Sequence, residues 1–367
     1  MLISSAFDSG NIEVLDARSP EIRLAIRPDE GGNHYQWFHF RITGAKGQAL
    51  SLRIENAGGA SYPKGWEDYQ ACVSGDRQTW TRTATRYDNG VLIIDLVPAG
   101  DSVWLAYFAP YSHERHLDLV AKSSLHSDVA YRRLGATLDG RDLDLLRVGH
   151  GPRPAWIIAR QHPGESMAEW LMEGLLARVL DDSDPVARAL REAWTLYAVP
   201  NMNPDGAARG HLRNNAAGAN LNREWAEPSL ERSPEVQLVR AEMERTGVAF
   251  FLDVHGDEAL PYNFIAGAEG IPSWSEEMAS RQGDFLEALL KASPDFQTRH
   301  GYPQAAPGKA NLAMATNWVG ERFGCLSMTL EQPFKDTADT PRPEGWSPAR
   351  AGQLGRAVLE ALHQTHL

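Results

Sequence analysis

The clearest indication of the fold is the segment Ala155-Trp156-Ile157-Ile158-Ala159-Arg160-Gln161-His162-Pro163-Gly164-Glu165. Its first five residues form a short apolar run, which is typical of a buried strand. The segment that follows, residues 165–180, has apolar side chains at helical spacing: Met167, Trp170, Leu171, Leu175 and Val179. A buried strand that runs through a tight Pro-Gly loop into a helix predicts an α/β unit.

The same alternation of strands and helices continues along the second part of the chain. After residue 113 we expect further strands at 195–199, 248–254 and 326–330, and helices near 274–291 and 349–364. Earlier, alternating runs at 21–26, 36–42 and 91–96 are separated by Gly, Asn, Asp and Pro clusters, which favours antiparallel strands. We therefore expect an all-β antiparallel sandwich in residues 1–115, then an α/β domain with a mixed sheet flanked by helices in residues 116–367.

The composition predicts an ordinary globular protein, with 43% hydrophobic and 23% charged residues. The formal net charge of −12, without a dense basic cluster, argues against nucleic-acid binding. No run approaches the roughly 20 apolar residues of a membrane-spanning helix, and residues 1–8 do not resemble a signal peptide. Two distant cysteines, Cys72 and Cys325, are expected to be reduced thiols. We expect a cytoplasmic protein, and the sequence leaves homo-oligomerisation open.

Three candidate metal ligands follow strands of the predicted α/β domain. His162 and Glu165 come after strand 155–159, and His255 ends strand 248–254. Active sites of open α/β sheets lie at the carboxyl ends of the strands. Two His and one Glu, with the fourth position left to water, are the ligands of a catalytic zinc site. The sequence therefore predicts one Zn²⁺ per chain, although such sites accept other divalent metals. Asp253 and Asn220 are candidates to fix the imidazole tautomers.

Five motifs occur in an order that resembles a known family. They are His162-x-x-Glu165, Asn203-Pro204-Asp205-Gly206, Gly218-Ala219-Asn220-Leu221-Asn222-Arg223, His255 and Thr329-Leu330-Glu331. Together they resemble the zinc carboxypeptidases of the carboxypeptidase A type. The chain is most similar to the cytosolic carboxypeptidase-like branch, whose members carry a β-sandwich before the catalytic domain. Residues 36–41 and 106–112 resemble that branch as well.

This resemblance implies a hydrolase that cleaves the C-terminal peptide or isopeptide bond of a peptide or protein tail. It implies that Arg213 stabilises the oxyanion, and that Asn222 and Arg223 hold the terminal carboxylate of the substrate. Glu331 would be the general base that deprotonates the attacking water. Cytosolic carboxypeptidases are similar to enzymes that remove acidic residues, notably glutamate, and Lys309 is a candidate cation for such a side chain.

The chain departs from the family pattern at two points. Asn220 stands where the family usually has Asp, so a neutral oxygen is expected to orient the zinc-bound histidine. The mobile tyrosine of the family has no clear counterpart; Tyr302 is the first candidate and Tyr262 the second.

Two other functions compete with a carboxypeptidase. One is an amidohydrolase of small N-acyl amino acids resembling aspartoacylase or succinylglutamate desuccinylase, families that generally lack the preceding sandwich. The other is a catalytically silent binding module that has kept the fold. The presence of all three ligands, Arg213 and Glu331 argues against the second alternative.

Overall fold

The computed structural model of this chain describes residues 1–18 and 21–365. In the described N-terminal part, two five-stranded sheets have the orders β1-β4-β10-β6-β7 and β2-β3-β5-β9-β8. Their strands are β1 (Leu2–Ser4), β2 (Glu13–Asp16), β3 (Glu21–Ala25), β4 (His39–Thr43), β5 (Leu50–Ile54), β6 (Cys72–Ser74), β7 (Thr81–Arg82), β8 (Thr85–Asp88), β9 (Val91–Leu96) and β10 (Ser102–Ala106). Short 3₁₀ helices span Ala57–Gly59 and Pro63–Trp66.

The two N-terminal sheets share one hydrophobic core because apolar residues alternate along their strands. Leu52 of β5 and Phe40 of β4 are fully buried in the same cluster, although they belong to different sheets. The predicted antiparallel sandwich is confirmed, with one exception: β3 and β5 pair in parallel. The intervening β4 joins the other sheet, so the chain returns to β5 by a crossover rather than a hairpin.

The second part of the chain contains a mixed sheet of seven strands within the described residues, in the order β11-β12-β14-β13-β15-β17-β16. The central pairs β14–β13, β13–β15 and β15–β17 are parallel, and the outer pairs are antiparallel. The strands are β11 (Val129–Ala136), β12 (Asp142–Val148), β13 (Arg153–Ala159), β14 (Trp194–Val199), β15 (Phe250–Val254), β16 (Phe264–Gly267) and β17 (Leu326–Glu331).

Helices cover both faces of this sheet. Alternate residues of β13 enter two separate cores: Ile157 packs with α2, α6 and α8 on one face, and Trp156 packs with α5 and α7 on the other. The helices are α1 (His113–Ser123), α2 (Met167–Val179), α3 (Pro185–Ala193), α4 (Pro204–Arg209), α5 (Pro234–Thr246), α6 (Glu276–Ala292), α7 (Ala315–Phe323) and α8 (Pro348–Gln364), with a 3₁₀ helix at Leu221–Arg223. The predicted fold class is confirmed.

Helices α2 and α8 pack closely because glycines face each other. A Cβ on Gly174 would lie 2.2 Å from the carbonyl oxygen of Gly352, so no side chain fits there. Cys72 and Cys325 are buried and unpaired, as expected. Among the described residues, no helix has the length and apolar character needed to cross a membrane.

The order of the parallel strands determines where the candidate ligands lie. Strand β15 lies between β13 and β17 and pairs with both in parallel. The loops after β13 and β15 and the last residue of β17 therefore lie together at the carboxyl ends of these three strands. His162, His255 and Glu331 belong to these three segments.

Candidate metal centre

The side chains of His162, Glu165 and His255 converge at the carboxyl ends of these strands. The Nδ1 atom of His162 lies 2.7 Å from Oε1 of Glu165, and Nδ1 of His255 lies 2.7 Å from Oε2 of the same carboxylate. The two Nδ1 atoms are 3.1 Å apart. Two ligands of one tetrahedral zinc ion lie about 3.3 Å apart, given metal–ligand distances near 2.0–2.1 Å. All three side chains are buried.

The hydrogen bonds of the two imidazoles show that this cluster fits a cation. Nε2 of His162 donates to Oδ1 of Asn220 at 3.0 Å, and Nε2 of His255 donates to Oδ2 of Asp253 at 2.8 Å. When each ring is neutral with its proton on Nε2, both Nδ1 atoms direct a lone pair toward the oxygens of Glu165. Lone pairs from two nitrogens and two carboxylate oxygens repel one another unless a proton or a metal ion lies between them. This donor set fits a divalent ion such as zinc.

The pKa values of the two imidazoles differ for physical reasons. Burial, together with the charge of Arg213, lowers the pKa of His162 to about 3, which keeps this ring in the neutral form that binds metals. Burial alone would lower the pKa of His255, but the charges of Asp253 and Glu165 raise it well above its usual range. The two carboxylates beside His255 therefore favour a positive charge at this part of the cluster.

The residues behind the ligands form a buried network. Asp253, at the end of β15, points to the same face as His255, because side chains alternate along a strand. Gln161 donates from Nε2 to Asp253 Oδ2 at 2.6 Å and accepts a bond from Trp225 Nε1 at 2.8 Å. The sequence named Asp253 and Asn220 as candidates for this position, but it did not identify Gln161, whose amide gives no recognisable motif.

Glu331 ends β17 beside the cluster. Its side chain is buried, and its Oε2 atom has no hydrogen-bond partner among the described residues. Burial raises the pKa of Glu331 to about 8, an effect that His255 opposes and the charge of Glu165 reinforces. A buried carboxylate with an unpaired oxygen next to a cation site can accept a proton from water.

Arg213 lies in the loop after α4. Its guanidinium has no hydrogen-bond partner among the described side chains, and the charges of Glu165, Glu258 and Glu331 act on it. Burial would lower the pKa of Arg213, but these acidic neighbours and Tyr62 raise it. The loop thus holds a fixed positive charge near the candidate metal centre.

Asn222 and Arg223 lie in the 3₁₀ helix that follows Asn220. The side-chain oxygen of Asn222 accepts a bond from the backbone N–H of Ala315 at 2.9 Å, which leaves its amide N–H groups as donors. Arg223 is exposed, and burial of its inner part and the charge of Arg213 lower its pKa. The two arginines are therefore close enough to influence each other.

The remaining candidates differ in their contacts and exposure. The hydroxyl of Tyr302 donates to Oδ2 of Asp257 at 2.5 Å, and the charge of Glu331 acts on it. Tyr262 stacks on His300 with ring centroids 4.2 Å apart. Lys309 is exposed on the loop before α7. The motif Asn203-Pro204-Asp205-Gly206 reads as a turn but begins helix α4, because the Asn203 side chain caps the N–H of Gly206 at 3.0 Å.

Comparisons with known proteins agree with this arrangement. Residues 3–108 match the model of the cytosolic carboxypeptidase N-terminal domain, and residues 115–349 match the model of the zinc carboxypeptidases. The structure of a metallo-carboxypeptidase from Pseudomonas aeruginosa, in complex with (2-guanidinoethylmercapto)succinic acid, is 48% identical, with a TM-score of 0.96 over 99% of this chain and 98% of that one.

Two relatives known from their sequences extend these comparisons. An uncharacterized protein of Zymomonas mobilis is 53% identical over 361 residues, which cover 98% of this chain and 95% of that protein. Cytosolic carboxypeptidase 4 of Homo sapiens is 30% identical over 321 residues, which cover 72% of this chain. The match spans only 28% of the human protein, so the human protein extends well beyond the region that the two share.

Proposed function

We propose, from the premise that this chain belongs to the zinc carboxypeptidase family, that it hydrolyses the C-terminal peptide or isopeptide bond of a peptide or protein tail. The proposal includes one divalent ion, zinc in the first place, bound by His162, Glu165 and His255. The observation that carries it is the convergence of two imidazole Nδ1 atoms on the two oxygens of one buried carboxylate. Without a cation between them, these nitrogen and oxygen donor atoms would repel one another, so the arrangement favours a metal site over a purely structural cluster.

The chemistry begins with the activation of water. When bound, the ion supplies Lewis acidity, which polarises the scissile carbonyl and makes water a nucleophile near neutral pH. Glu331 accepts the proton of the attacking water on its carboxylate and then passes it to the leaving amine nitrogen. The buried position of Glu331 and its unpaired Oε2 support this role.

Three further side chains bind the substrate in this proposal. Arg213 donates to the oxygen of the scissile carbonyl as negative charge develops there, and its electrostatic interaction with Glu165 and Glu331 supports this role. Arg223 and the free amide N–H groups of Asn222 hold the terminal carboxylate, because a guanidinium fork matches the two oxygens of a carboxylate. This pair restricts cleavage to the end of a chain.

The finer parts of the proposal concern organisation and specificity. We divide the chain into a sandwich domain at 1–115 and a catalytic domain at 116–367, in line with the ranges of the two family models. The resemblance to the cytosolic branch supports a preference for C-terminal glutamate, and Lys309 is the candidate cation because it is exposed on the loop before α7, which precedes β17 and Glu331. Action in the cytoplasm follows from the same branch.

A screen of peptide ends tests the proposal. Peptides that differ only in a C-terminal Glu, Asp, Leu or Lys are incubated with the zinc-loaded chain, beside N-acyl amino acids, and released amino acids are measured. We expect release from peptides, fastest from Glu, and about 10²- to 10⁴-fold slower release by Glu331→Gln at unchanged metal content. Hydrolysis of N-acyl amino acids alone would favour an amidohydrolase, and no hydrolysis at full metal content would favour a binding module.

A further inference from the structure

The loop that carries Arg213 is anchored to the N-terminal sandwich. The carboxylate of Asp29 accepts three backbone hydrogen bonds from consecutive residues: Leu212 at 2.6 Å, Arg213 at 2.8 Å and Asn214 at 2.9 Å. Asp29 is almost fully buried, with 2% of its surface exposed. Three N–H groups that converge on one carboxylate fix the backbone of the loop where the arginine side chain begins.

Neighbouring contacts hold the same loop from the same side. Nδ2 of Asn11 donates to the carbonyl oxygen of Gly210 at 3.0 Å, and the N–H of Ser9 donates to the carbonyl oxygen of Ala208 at 2.9 Å. The N–H of Glu30 donates to Nε2 of His211 at 3.1 Å. The segment before Arg213 therefore rests on residues that are about 200 positions earlier in the chain.

The sandwich also supports the side chain of Arg213. The guanidinium carbon of Arg213 lies 5.6 Å from the centroid of the Tyr62 ring, which is within the range of a cation–π contact. The Tyr62 hydroxyl has no hydrogen-bond partner among the described residues, and the charges of Arg213, Glu258 and Glu165 all act on it. Tyr62 thus reaches from the sandwich to the candidate metal centre.

Tyr62 itself is held rigidly. The amide of Gln36, which is fully buried, makes two hydrogen bonds with the backbone of Tyr62: Oε1 accepts from the N–H at 2.8 Å, and Nε2 donates to the carbonyl at 3.0 Å. Gly65 follows three residues later and packs against the backbone of Glu258. A Cβ on Gly65 would lie only 2.9 Å from the carbonyl oxygen of Glu258. Glu258 is three residues beyond the candidate ligand His255, so the segment is fixed against the site.

We propose that Asp29 and Tyr62 are positioning residues for Arg213, so that the sandwich completes the catalytic site rather than only recognising substrates. This inference rests on the proposed function, because it assigns these residues a part in how Arg213 donates to the oxyanion. A donor that is fixed before the reaction stabilises developing charge without reorganising. Asp29 fixes the backbone of Arg213, and the Tyr62 ring restricts its long side chain.

Hydrogen exchange tests the part of Asp29 without relying on activity. Asp29→Asn is compared with Asp76→Asn, a matched control in the same sandwich, where the Asp76 carboxylate accepts backbone bonds from Gln78 and Thr79. We expect the amides of residues 212–214 to exchange about tenfold faster or more in Asp29→Asn, because an amide presents one acceptor oxygen instead of two. Asp76→Asn leaves their exchange unchanged. Unchanged exchange in Asp29→Asn would overturn the proposal for this residue.

A double-mutant cycle tests Tyr62. Tyr62→Ala is expected to lower kcat about 3- to 30-fold, the range of a cation–π contact, with a smaller effect on KM and no loss of metal. Tyr62→Phe keeps the ring and should retain wild-type kcat. In an Arg213→Met background, Tyr62→Ala should have no further effect, because the two side chains act as one unit. Tyr87→Ala, which removes a half-buried ring elsewhere in the sandwich, controls for stability.

The outcomes separate this inference from the proposed function. Equal losses from Tyr62→Ala with and without Arg213 would contradict positioning, as would a wild-type kcat in Tyr62→Ala. A wild-type chain that releases no C-terminal residue would instead contradict the proposed function, and the exchange of residues 212–214 would still decide whether Asp29 fixes the loop.

Discussion

The substitution Asn220→Asp tests how the ligand His162 is oriented. In the structure, Nε2 of His162 donates to a neutral oxygen of Asn220 at 3.0 Å, whereas Nε2 of His255 donates to the charged Asp253 at 2.8 Å. A carboxylate at position 220 makes the first bond charge-assisted, which strengthens it by about 1 kcal/mol. It also makes the imidazole more basic toward a metal. We therefore expect zinc to bind about five- to tenfold more tightly.

Competition with a chelator of known affinity measures this change. The wild-type chain and Asn220→Asp are titrated at one pH, and the dissociation constants for zinc are compared, with peptide hydrolysis as a check that the site still works. The reciprocal change, Asp253→Asn, removes the charge behind His255 and should weaken zinc about 10- to 100-fold. Weaker zinc binding in Asn220→Asp, at unchanged folding, would refute the assigned role of Asn220.

Three further predictions concern the oxyanion, the stability and the contact between the domains. Arg213→Met should lower kcat about 10²- to 10³-fold with metal retained, as measured by steady-state kinetics. Nδ1 of His116 lies 2.6 Å from Glu169, and its Nε2 lies 2.8 Å from Asp144. Burial alone would lower the pKa of His116, but these two carboxylates raise it from 6.5 to about 9. This shift contributes about 3 kcal/mol to the free energy of unfolding, a contribution that is fully present below pH 6.5 and lost as the pH rises through about 9. The free energy of unfolding measured with denaturant should therefore fall over this pH range in the wild type and not in His116→Gln. Gly65→Ala should reduce activity without removing metal, because its Cβ would displace the segment that carries Tyr62; unchanged kinetics would contradict the packing.

Much of the site could be predicted because it depends on local patterns. A buried strand places the next loop at one end of the sheet, so the position of His162 after 155–159 and of His255 after 248–254 already implies that they meet. The alternation of side chains along β15 also predicts that Asp253 lies beside His255. These relations need only strand periodicity and the parallel order of the sheet.

The support from the sandwich could not be predicted in the same way. The contacts of Asp29 with residues 212–214 join parts of the chain that are more than 180 positions apart, and nothing near Asp29 distinguishes it from a turn residue. Tyr62 precedes a proline and likewise reads as part of a loop. The parallel pairing of β3 with β5 was missed for a related reason, since alternation predicts a strand but not its partner. The contacts of Asp29, the position of Tyr62 and the pairing of β3 with β5 all depend on packing between distant parts of the chain.

The proposed function depends on the binding of one divalent ion by His162, Glu165 and His255. Zinc content is measured in the purified wild-type chain, in His162→Ala and in His255→Ala, after equal exposure to zinc and removal of loosely bound metal. We expect about one zinc ion per wild-type chain and almost none in either variant, because three protein ligands are needed to hold the ion. Full zinc content in either folded variant would contradict it.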